Sequence, residues 1–146
     1  MVDRQSGFTL IELLVVIVIA GMMYALVPPM FGAGIAGTEL KKAARQVAAG
    51  LRQTRGEAIN QHKDVAMTLD LDDRVFNIGG GVRKYQLPKR VDLKVFTAQS
   101  EVDDSKAAIR FYPDGSSTGG RVTLAAGDKR FLVDVDWLTG RVVITE

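Results

Sequence analysis

The sequence predicts an α+β protein in which a long N-terminal helix, apolar in its first half and amphipathic in its second, packs on an antiparallel β-sheet domain. Three observations support this class: an uncharged apolar run near the N-terminus, an apolar stripe of helical period after it, and period-two alternation from Val65 onward. The length of 146 residues favours one folded unit plus an anchor over two independent cores. Because the chain lacks cysteine and carries a formal charge of only +2, it offers no thiolate site and no long basic or acidic arm.

The N-terminal region consists of a polar leader, residues 1–7, followed by an apolar stretch, residues 8–31. This stretch reaches the ~20 predominantly apolar residues that are needed to cross a bilayer core. A secretory signal would place its cleavage site after the apolar stretch, whereas here the polar leader comes first and no Ala-x-Ala-like exit follows. We therefore expect residues 8–31 to be retained as a transmembrane helix. Pro28 and Pro29 remove two backbone donors, so they either kink this helix or mark the end of the span.

Glu12 places a carboxylate in the apolar stretch, which costs on the order of 2–3 kcal/mol on insertion scales and usually indicates a partner or a function. One interpretation is that Glu12 lies at the interfacial end of the helix and reaches water. The other depends on cleavage after Gly7, which would expose an α-amino group on Phe8 as the counter-ion of a buried carboxylate. Within one helix the two groups are four residues apart, but between staggered helices they can pair across subunits. This second hypothesis makes Glu12 an assembly residue.

Residues 32–63 predict an amphipathic helix after a flexible glycine-rich segment, residues 32–37, with Thr38 as the cap of a new or resumed helix. An apolar stripe of helical period is expected to pack on a sheet, and it consists of Leu40, Ala44, Val47, Leu51, Ala58 and Ile59. Basic residues on the other faces are expected to face solvent, namely Lys41, Lys42, Arg45, Arg52 and Arg55. A basic helix of this kind can alternatively bind a membrane surface or nucleic acid. His62, the only histidine, is expected at the helix end, since it has no cysteine or carboxylate cluster with which to form a metal site.

Residues 64–146 predict an antiparallel β domain. A hairpin is expected at residues 65–78, where alternating apolar residues are interrupted by an Asp-Asp turn. Two short extended pieces follow around Pro88, and residues 97–106 are polar enough to form a loop. The last strands are expected to form one antiparallel meander from residues 108–112, 121–124, 130–137 and 141–144.

Residues 7–21 read GFTLIELLVVIVIAG, and this stretch resembles the N-terminal signature of type IV pilins and type II secretion pseudopilins. The resemblance implies a pilin-like fold, cleavage between Gly7 and Phe8 by a prepilin peptidase, and N-methylation of Phe8. It also implies that Glu12 docks each subunit against its neighbour, with the new N-terminus as its partner. The expected kink positions in the helix, from this resemblance and from proline chemistry, are Gly21, Pro28 and Pro29.

The C-terminal region carries a second resemblance. Residues 111–120 read FYPDGSSTGG and residues 139–142 read TGRV, and together they resemble the domain shared by H-type pseudopilins and FimT-like minor pilins. The glycines of the first segment permit positive φ and Asp114 can close an Asx-turn. We therefore expect a structural turn there rather than a ligand site.

Two functions follow from these resemblances. The first is a structural minor pseudopilin of the type II secretion system, a single-pass protein of the bacterial inner membrane that acts near the tip of the periplasmic pseudopilus in the export of folded proteins. Its implied partners are other minor and major pseudopilins, prepilin peptidase and the inner membrane. The alternative is a FimT-like minor pilin of a type IV pilus that binds DNA for uptake.

One departure from the FimT-like pattern favours secretion. FimT-like DNA binders are associated with a Gly-Arg-x-Arg stretch near the C-terminus, whereas Val143 stands where the second arginine would be. Strand alternation also predicts that Asp134 and Asp136 lie near Arg130 and Arg141, which weakens any basic patch. No nucleic-acid partner is therefore expected.

An enzymatic function is not predicted. The sequence shows no nucleophile–base pair, recognisable carboxylate dyad or metal-ligand constellation, and no cofactor is expected. The peptidase and methyltransferase chemistry implied at Gly7 and Phe8 belongs to another protein, for which this chain is the substrate.

Overall fold

The computed structural model describes residues 8–98, 102–103 and 105–146. Its contacts divide the chain into two units, Met1–Ile35 and Ala36–Glu146. The expected class, a long N-terminal helix with antiparallel sheets, is confirmed. In chain order the elements are α1 (Leu10–Gln61), β1 (Val65–Asp70), β2 (Val75–Ile78), β3 (Tyr85–Gln86), β4 (Asp92–Thr97), β5 (Val102–Asp103), β6 (Lys106–Phe111), β7 (Gly120–Ala126), β8 (Lys129–Val135) and β9 (Val142–Thr145).

Helix α1 continues through the glycine-rich segment at residues 32–37, where the sequence predicted a flexible break. Thr38 therefore lies inside the helix and is not its N-cap. Glycine weakens a helix by only ~1 kcal/mol per residue relative to alanine, so a glycine-rich stretch within a long helix need not interrupt it.

The C-terminal end of α1 is a Schellman motif. His62 adopts a φ of 53°, its N–H donates to the carbonyl of Ile59 at 3.4 Å, and the N–H of Lys63 donates to the carbonyl of Ala58 at 3.3 Å. This geometry confirms the prediction that His62 ends the helix.

The second half of α1 buries one face in the β domain. The predicted stripe is buried apart from Ile59, and the structure adds Ala43, Ala48 and Thr54 to the buried face. At Gly50 a Cβ would lie 2.7 Å from Phe76 Cε2 and 3.2 Å from Met67 Sδ, so the helix approaches the sheet closely there. The absence of a side chain at Gly50 explains this close approach, because it lets Phe76 and Met67 of the sheet pack directly on the helix backbone.

The strands form two antiparallel sheets, with the orders β3-β2-β1-β6-β5 and β4-β7-β8-β9. The hairpin expected at residues 65–78 is the β1–β2 pair, and β3 and β4 are the two extended pieces around Pro88. Strand β5 lies within residues 97–106, which were expected to form a loop.

The predicted four-strand meander is correct for β7, β8 and β9 but wrong for β6. Strand β6 pairs with β1 in the five-stranded sheet, with Val65 opposite Phe111. The segment between Phe111 and Gly120 is longer than a tight hairpin turn, so it can carry the chain from one sheet to the other. Strand β4, which the sequence did not assign to a partner, completes the second sheet by pairing with β7. The buried faces of both sheets and the stripe of α1 share one hydrophobic core.

Candidate functional site

The first part of α1 exposes apolar side chains on every side. From Phe8 to Tyr24, each large apolar side chain is between 49% and 84% exposed, and Glu12 is the only charged residue in that stretch. A helix that is apolar all round is stable only where lipid or other helices cover it. Among the described residues, no helix is both long enough and apolar enough to cross a membrane.

Glu12 lies in the first turn of α1, which Thr9 caps. The hydroxyl of Thr9 accepts a hydrogen bond from the backbone N–H of Glu12 at 3.3 Å, and the Thr9 carbonyl accepts one from the same group at 3.1 Å. Thr9 is thus the N-cap, and Glu12 occupies the third helical position, where glutamate is preferred. The spacing of threonine and glutamate in Thr9-Leu-Ile-Glu12 indicates a helix N-terminus, but considering only the charge of Glu12 did not predict this cap.

The remaining predicted residues of this region are placed as follows. Gly7 lies outside the described residues, so the cleavage position stays a prediction. Phe8 precedes α1 and is 83% exposed. Gly21 lies within α1, and a Cβ there would meet no atom within 4 Å. The backbones of Pro28 and Pro29 are helical, and a kink at these positions also stays a prediction.

A glycine-rich turn connects β6 to β7 in the β domain. Asp114 Oδ1 accepts hydrogen bonds from the hydroxyl of Ser116 at 2.6 Å and from its backbone N–H at 2.9 Å, which confirms the expected Asx-turn. These two bonds, the hydroxyl bond first, lower the pKa of Asp114. Gly115 follows with a φ of 84°, and its N–H donates to the carbonyl of Tyr112 at 2.9 Å.

The connection from β8 to β9 is a second turn, built around Asp136. Its Oδ1 accepts hydrogen bonds from the N–H and the hydroxyl of Thr139, both at 2.8 Å, and from the N–H of Leu138 at 3.1 Å. The bonds from Thr139 and Leu138 lower the pKa of Asp136, and the positive charge of Arg141 acts in the same direction. Gly140 completes the turn with a φ of 61°.

The two turns contact each other, and Arg55 of α1 lies against the contact. The N–H of Ser117 donates to the carbonyl of Trp137 at 2.8 Å, and Arg55 Nε donates to the carbonyl of Gly115 at 3.1 Å. A Cβ on Gly140 would lie 2.1 Å from that same carbonyl oxygen and 2.9 Å from Arg55 Nε, so only glycine fits there. The term turn junction is used below for residues 112–120, residues 136–141 and Arg55.

The prediction that the basic residues of α1 face solvent is wrong for Arg55 and incomplete for Arg52. Arg55 is half-buried in the turn junction, and Arg52 Nη2 donates to the carbonyl of Val142 at 3.2 Å while remaining exposed. A guanidinium offers five donors in a planar fork, so it can satisfy turn and strand-end carbonyls that a sheet leaves unpaired.

A family model described as type II transport protein GspH matches residues 43–139, which include most of the turn junction. The chain belongs to the GspH family. A second model, described as a prokaryotic N-terminal methylation motif, matches residues 3–27. This GspH-family chain is 36% identical over 144 residues to type II secretion system protein H of Xanthomonas campestris pv. campestris, a match that covers 97% of the chain and 84% of that protein.

More distant likeness reaches pilus proteins. A fimbrial protein of Pseudomonas aeruginosa is 33% identical over 75 residues, which is 51% of the chain and 48% of that protein. The minor pilin FimU of Pseudomonas aeruginosa superposes with a TM-score of 0.60 at 18% identity, over 75% of the chain and 90% of FimU. The minor pseudopilin EpsH of Vibrio cholerae superposes with a TM-score of 0.58 at 15% identity, over 73% of the chain and 96% of EpsH. These structures establish a pilin-like fold for the GspH-family chain.

Ion pairing in the second sheet of the GspH-family chain differs in part from the prediction. The carboxylate of Asp134 lies across the sheet from Arg121, with Oδ1 at 2.5 Å from Nε, and this hydrogen bond and the carboxylate charge raise the pKa of Arg121. The ion pair of Asp134 is thus with Arg121, which the prediction had not named, and the predicted proximity of Arg130 stays a prediction. Asp136 does lie within electrostatic range of Arg141, as expected.

Sequence reasoning missed the role of Arg55 in the GspH-family chain, because its contact is with a residue sixty positions further along the chain. Within the described ranges, no group of three or more histidine, cysteine, aspartate or glutamate side chains is placed to hold a metal ion.

Proposed function

We propose that this GspH-family chain is a minor pseudopilin of a type II secretion system. Its helix at residues 8–31 holds it in the bacterial inner membrane, its β domain lies in the periplasm, and it joins other pseudopilins in the fibre that helps export folded proteins. The relative that spans 97% of the chain is a type II secretion protein, whereas the likeness to FimU is at the level of fold. This difference supports secretion over a DNA-uptake pilus. We assign no bond chemistry to the chain itself.

The observation that carries this proposal is the exposed apolar surface at the start of α1. Fully burying a Val, Leu, Ile, Phe or Met side chain contributes ~1.5–3 kcal/mol, so covering this surface with lipid or with neighbouring helices contributes on the order of 20–30 kcal/mol. A gain of this size is sufficient to anchor a subunit in the membrane, whereas association of its helix with other helices inside the membrane must rely on packing and polar contacts.

We further propose that a prepilin peptidase cleaves between Gly7 and Phe8 and that Phe8 is then N-methylated. The match to an N-terminal methylation motif over residues 3–27 supports this proposal. The test is mass spectrometry of the chain extracted from membranes of a host with active prepilin peptidase. The expected mass is that of residues 8–146 plus one methyl group. An N-terminus at Met1 in that host would contradict the maturation proposal.

Glu12 can act in two ways, and three variants separate them. Glu12→Gln keeps a residue that a capping box accepts but removes the charge, Glu12→Leu removes both, and Thr9→Ala removes the N-cap hydroxyl. If Glu12 pairs with the Phe8 amine of a neighbour, Glu12→Gln and Glu12→Leu should both fail to enter the fibre while Thr9→Ala still assembles. All three should insert in the membrane, because none adds a charge.

Assembly is measured by shearing or cross-linking of the fibre in a host that supplies the other pseudopilins. Membrane fractionation of the same cells provides the insertion control. Normal assembly of Glu12→Gln together with poor assembly of Thr9→Ala would assign Glu12 to the helix cap and would end the amine-pairing proposal.

A further inference from the structure

The solvent face of the second sheet carries a cross-strand row that the N-terminal helix does not use. Phe96 of β4 stands opposite Arg121 of β7, Arg121 stands opposite Asp134 of β8, and Asp134 stands opposite Val143 of β9. Directly opposed residues in antiparallel strands lie on the same face, so these four side chains form one continuous band. Phe96 is 79% exposed, which is unusual for an aromatic side chain in a strand.

This row lies in an open groove of about 1510 Å³ at the end of the sheet, next to the turn junction. The groove is also lined by Trp137, by Arg52 and by Arg141, and Trp137, the only tryptophan of the chain, is 66% exposed. The term outer-face groove is used for Arg52, Phe96, Arg121, Asp134, Trp137, Arg141 and Val143.

The charges that line the outer-face groove favour an acidic ligand. Among the described residues that line it, four are basic (Arg52, Arg55, Arg121 and Arg141) and two are acidic (Asp134 and Asp136). Both aspartates are occupied, the first by the ion pair with Arg121 and the second by three hydrogen bonds within its own turn. The guanidinium of Arg141 makes no hydrogen bond within the described part of the chain, and Arg52 makes one, so both have donors left for a carboxylate.

The two aromatic residues are held on fixed backbone. The hydroxyl of Thr97, next to Phe96, donates to the carbonyl of Ala108 at 2.9 Å, and the carbonyl of Trp137 accepts the N–H of Ser117 at 2.8 Å. Exposed aromatic side chains beside arginines on rigid backbone are the usual composition of the energetically dominant part of a protein interface. Binding there requires little ordering of the receptor surface.

We propose that the outer-face groove docks a different pilin-like subunit through a segment in which aliphatic side chains flank a carboxylate. The aliphatic side chains cover Phe96 and Trp137, and the carboxylate binds Arg141 and Arg52. This inference rests on the proposed function, since it names a partner within the same fibre. Nucleic acid fits less well, because four arginines against two aspartates leave the described lining with a net charge of only +2, whereas non-specific nucleic-acid binding relies on many phosphate contacts from Lys and Arg.

A different subunit is the favoured occupant, because the side chains described in residues 36–146 do not expose a matching segment. Outside the groove and its turn, the exposed large apolar side chains described in residues 36–146 are Ile59 and Val82. Val82 is followed by Arg83 and Lys84, and Ile59 lies between Ala58 and Asn60, so neither has an adjacent carboxylate in sequence. Neither of these two segments of a second copy would therefore place a sequence-adjacent carboxylate against Arg141 and Arg52.

Site-specific photo-crosslinking in the full chain, in a host with the other pseudopilins, tests this proposal. A benzophenone amino acid replaces Phe96 in one variant and Trp137 in another, and it replaces Val82, which is fully exposed but outside the groove, in the control. Mass spectrometry should identify the adduct at positions 96 and 137 as another pilin-like subunit, at a yield at least fivefold above position 82. Arg141→Glu should lower this yield at least fivefold, whereas Lys84→Glu, the same charge reversal outside the groove, should leave it unchanged.

Four results would overturn the proposal: equal yields at the groove and at position 82, adducts with nucleic acid, adducts with a second copy of this chain, or no loss of yield in Arg141→Glu. Circular dichroism of each purified variant verifies that it is folded. The proposed function is judged separately, by processing at Phe8 and by entry of the chain into the fibre. A processed and assembled chain that gives no adduct in the groove would refute the docking site and leave the proposed function standing.

Discussion

Replacing Gly140 by alanine tests whether the turn junction stabilises the β domain. The added Cβ would lie 2.1 Å from the carbonyl oxygen of Gly115 and 2.9 Å from Arg55 Nε. That carbonyl cannot simply move away, because Gly115 is held by its own N–H to Tyr112 and by the hydrogen bond from Arg55. The substitution must therefore separate the two turns or displace the arginine.

The magnitude follows from three contributions. The left-handed backbone at Gly140 disfavours an L residue by ~1–2 kcal/mol. Alanine also lowers the entropy of the unfolded chain, and this effect offsets ~0.4–1 kcal/mol of that cost. Overpacking adds ~1–3 kcal/mol, and loss of the hydrogen bond from Arg55 to Gly115 adds ~1–2 kcal/mol because its donor is charged but only partly buried. We expect Gly140→Ala to lower the free energy of unfolding by ~3–5 kcal/mol.

Gly127→Ala is the matched control. Gly127 has a φ of 60°, almost the same as Gly140, but a Cβ there would meet no atom within 4 Å. It should therefore show only the backbone contribution, ~1 kcal/mol or less.

The assay is urea unfolding of the detergent-solubilised full chain, followed by circular dichroism and by the fluorescence of Trp137. The expected difference of at least ~2 kcal/mol between the variants corresponds to ~1 M in urea midpoint. Midpoints of Gly140→Ala and Gly127→Ala that agree within ~0.3 M would refute the steric argument and with it the turn junction as a stabilising contact.

Two further predictions use the same unfolding assay. His62→Gly should raise the free energy of unfolding by ~0.5–1 kcal/mol, because it relieves the strain of a φ of 53°. Arg74→Gly, at the same φ, should lower the free energy of unfolding, because the Arg74 guanidinium donates to two backbone carbonyls. Shifts of equal sign in the two variants would contradict this prediction. Because the pKa of Asp136 is lowered in the folded state, its carboxylate contributes fully above the ordinary value near pH 4, and this contribution is lost as pH falls through the lower folded pKa. Asp136→Asn should thus have a lower free energy of unfolding than the parent chain at pH 7, and this difference should shrink below about pH 4. A difference independent of pH would exclude a stabilising role for the Asp136 carboxylate.

Local periodicity was sufficient to predict several parts of the fold. The change from helical to alternating period placed the end of α1 at His62 and located the β1–β2 hairpin. Asp114 could also be assigned a backbone role, and its Asx-turn confirms this, whereas the turn bonds of Asp136 were not predicted. These features depend on residues within a few positions of one another, so the sequence contains their signal.

Features that depend on distant residues were not predicted. Strand β6 resembles its C-terminal neighbours in pattern, yet it pairs with β1, which lies some forty residues earlier. Arg55 has the sequence context of a solvent-facing helix residue, and only the fold brings it to the carbonyl of Gly115. A period of alternation identifies a strand and its buried face, but it does not identify the partner strand.

The position of Glu12 in the capped first turn of α1 changes what this residue requires from the rest of the assembly. From the sequence, a carboxylate in an apolar helix needed an external counter-ion. The structure places Glu12 in the first turn of α1, where the backbone N–H groups and the helix dipole favour a negative charge by ~0.3–1 kcal/mol before any neighbour is present. This gain is smaller than the ~2–3 kcal/mol that a buried carboxylate costs in lipid, so a residual of ~1–2 kcal/mol is left for an amine from an adjoining subunit to offset. The charge of Glu12, and not its ability to cap, is therefore the property that the assembly experiment must remove.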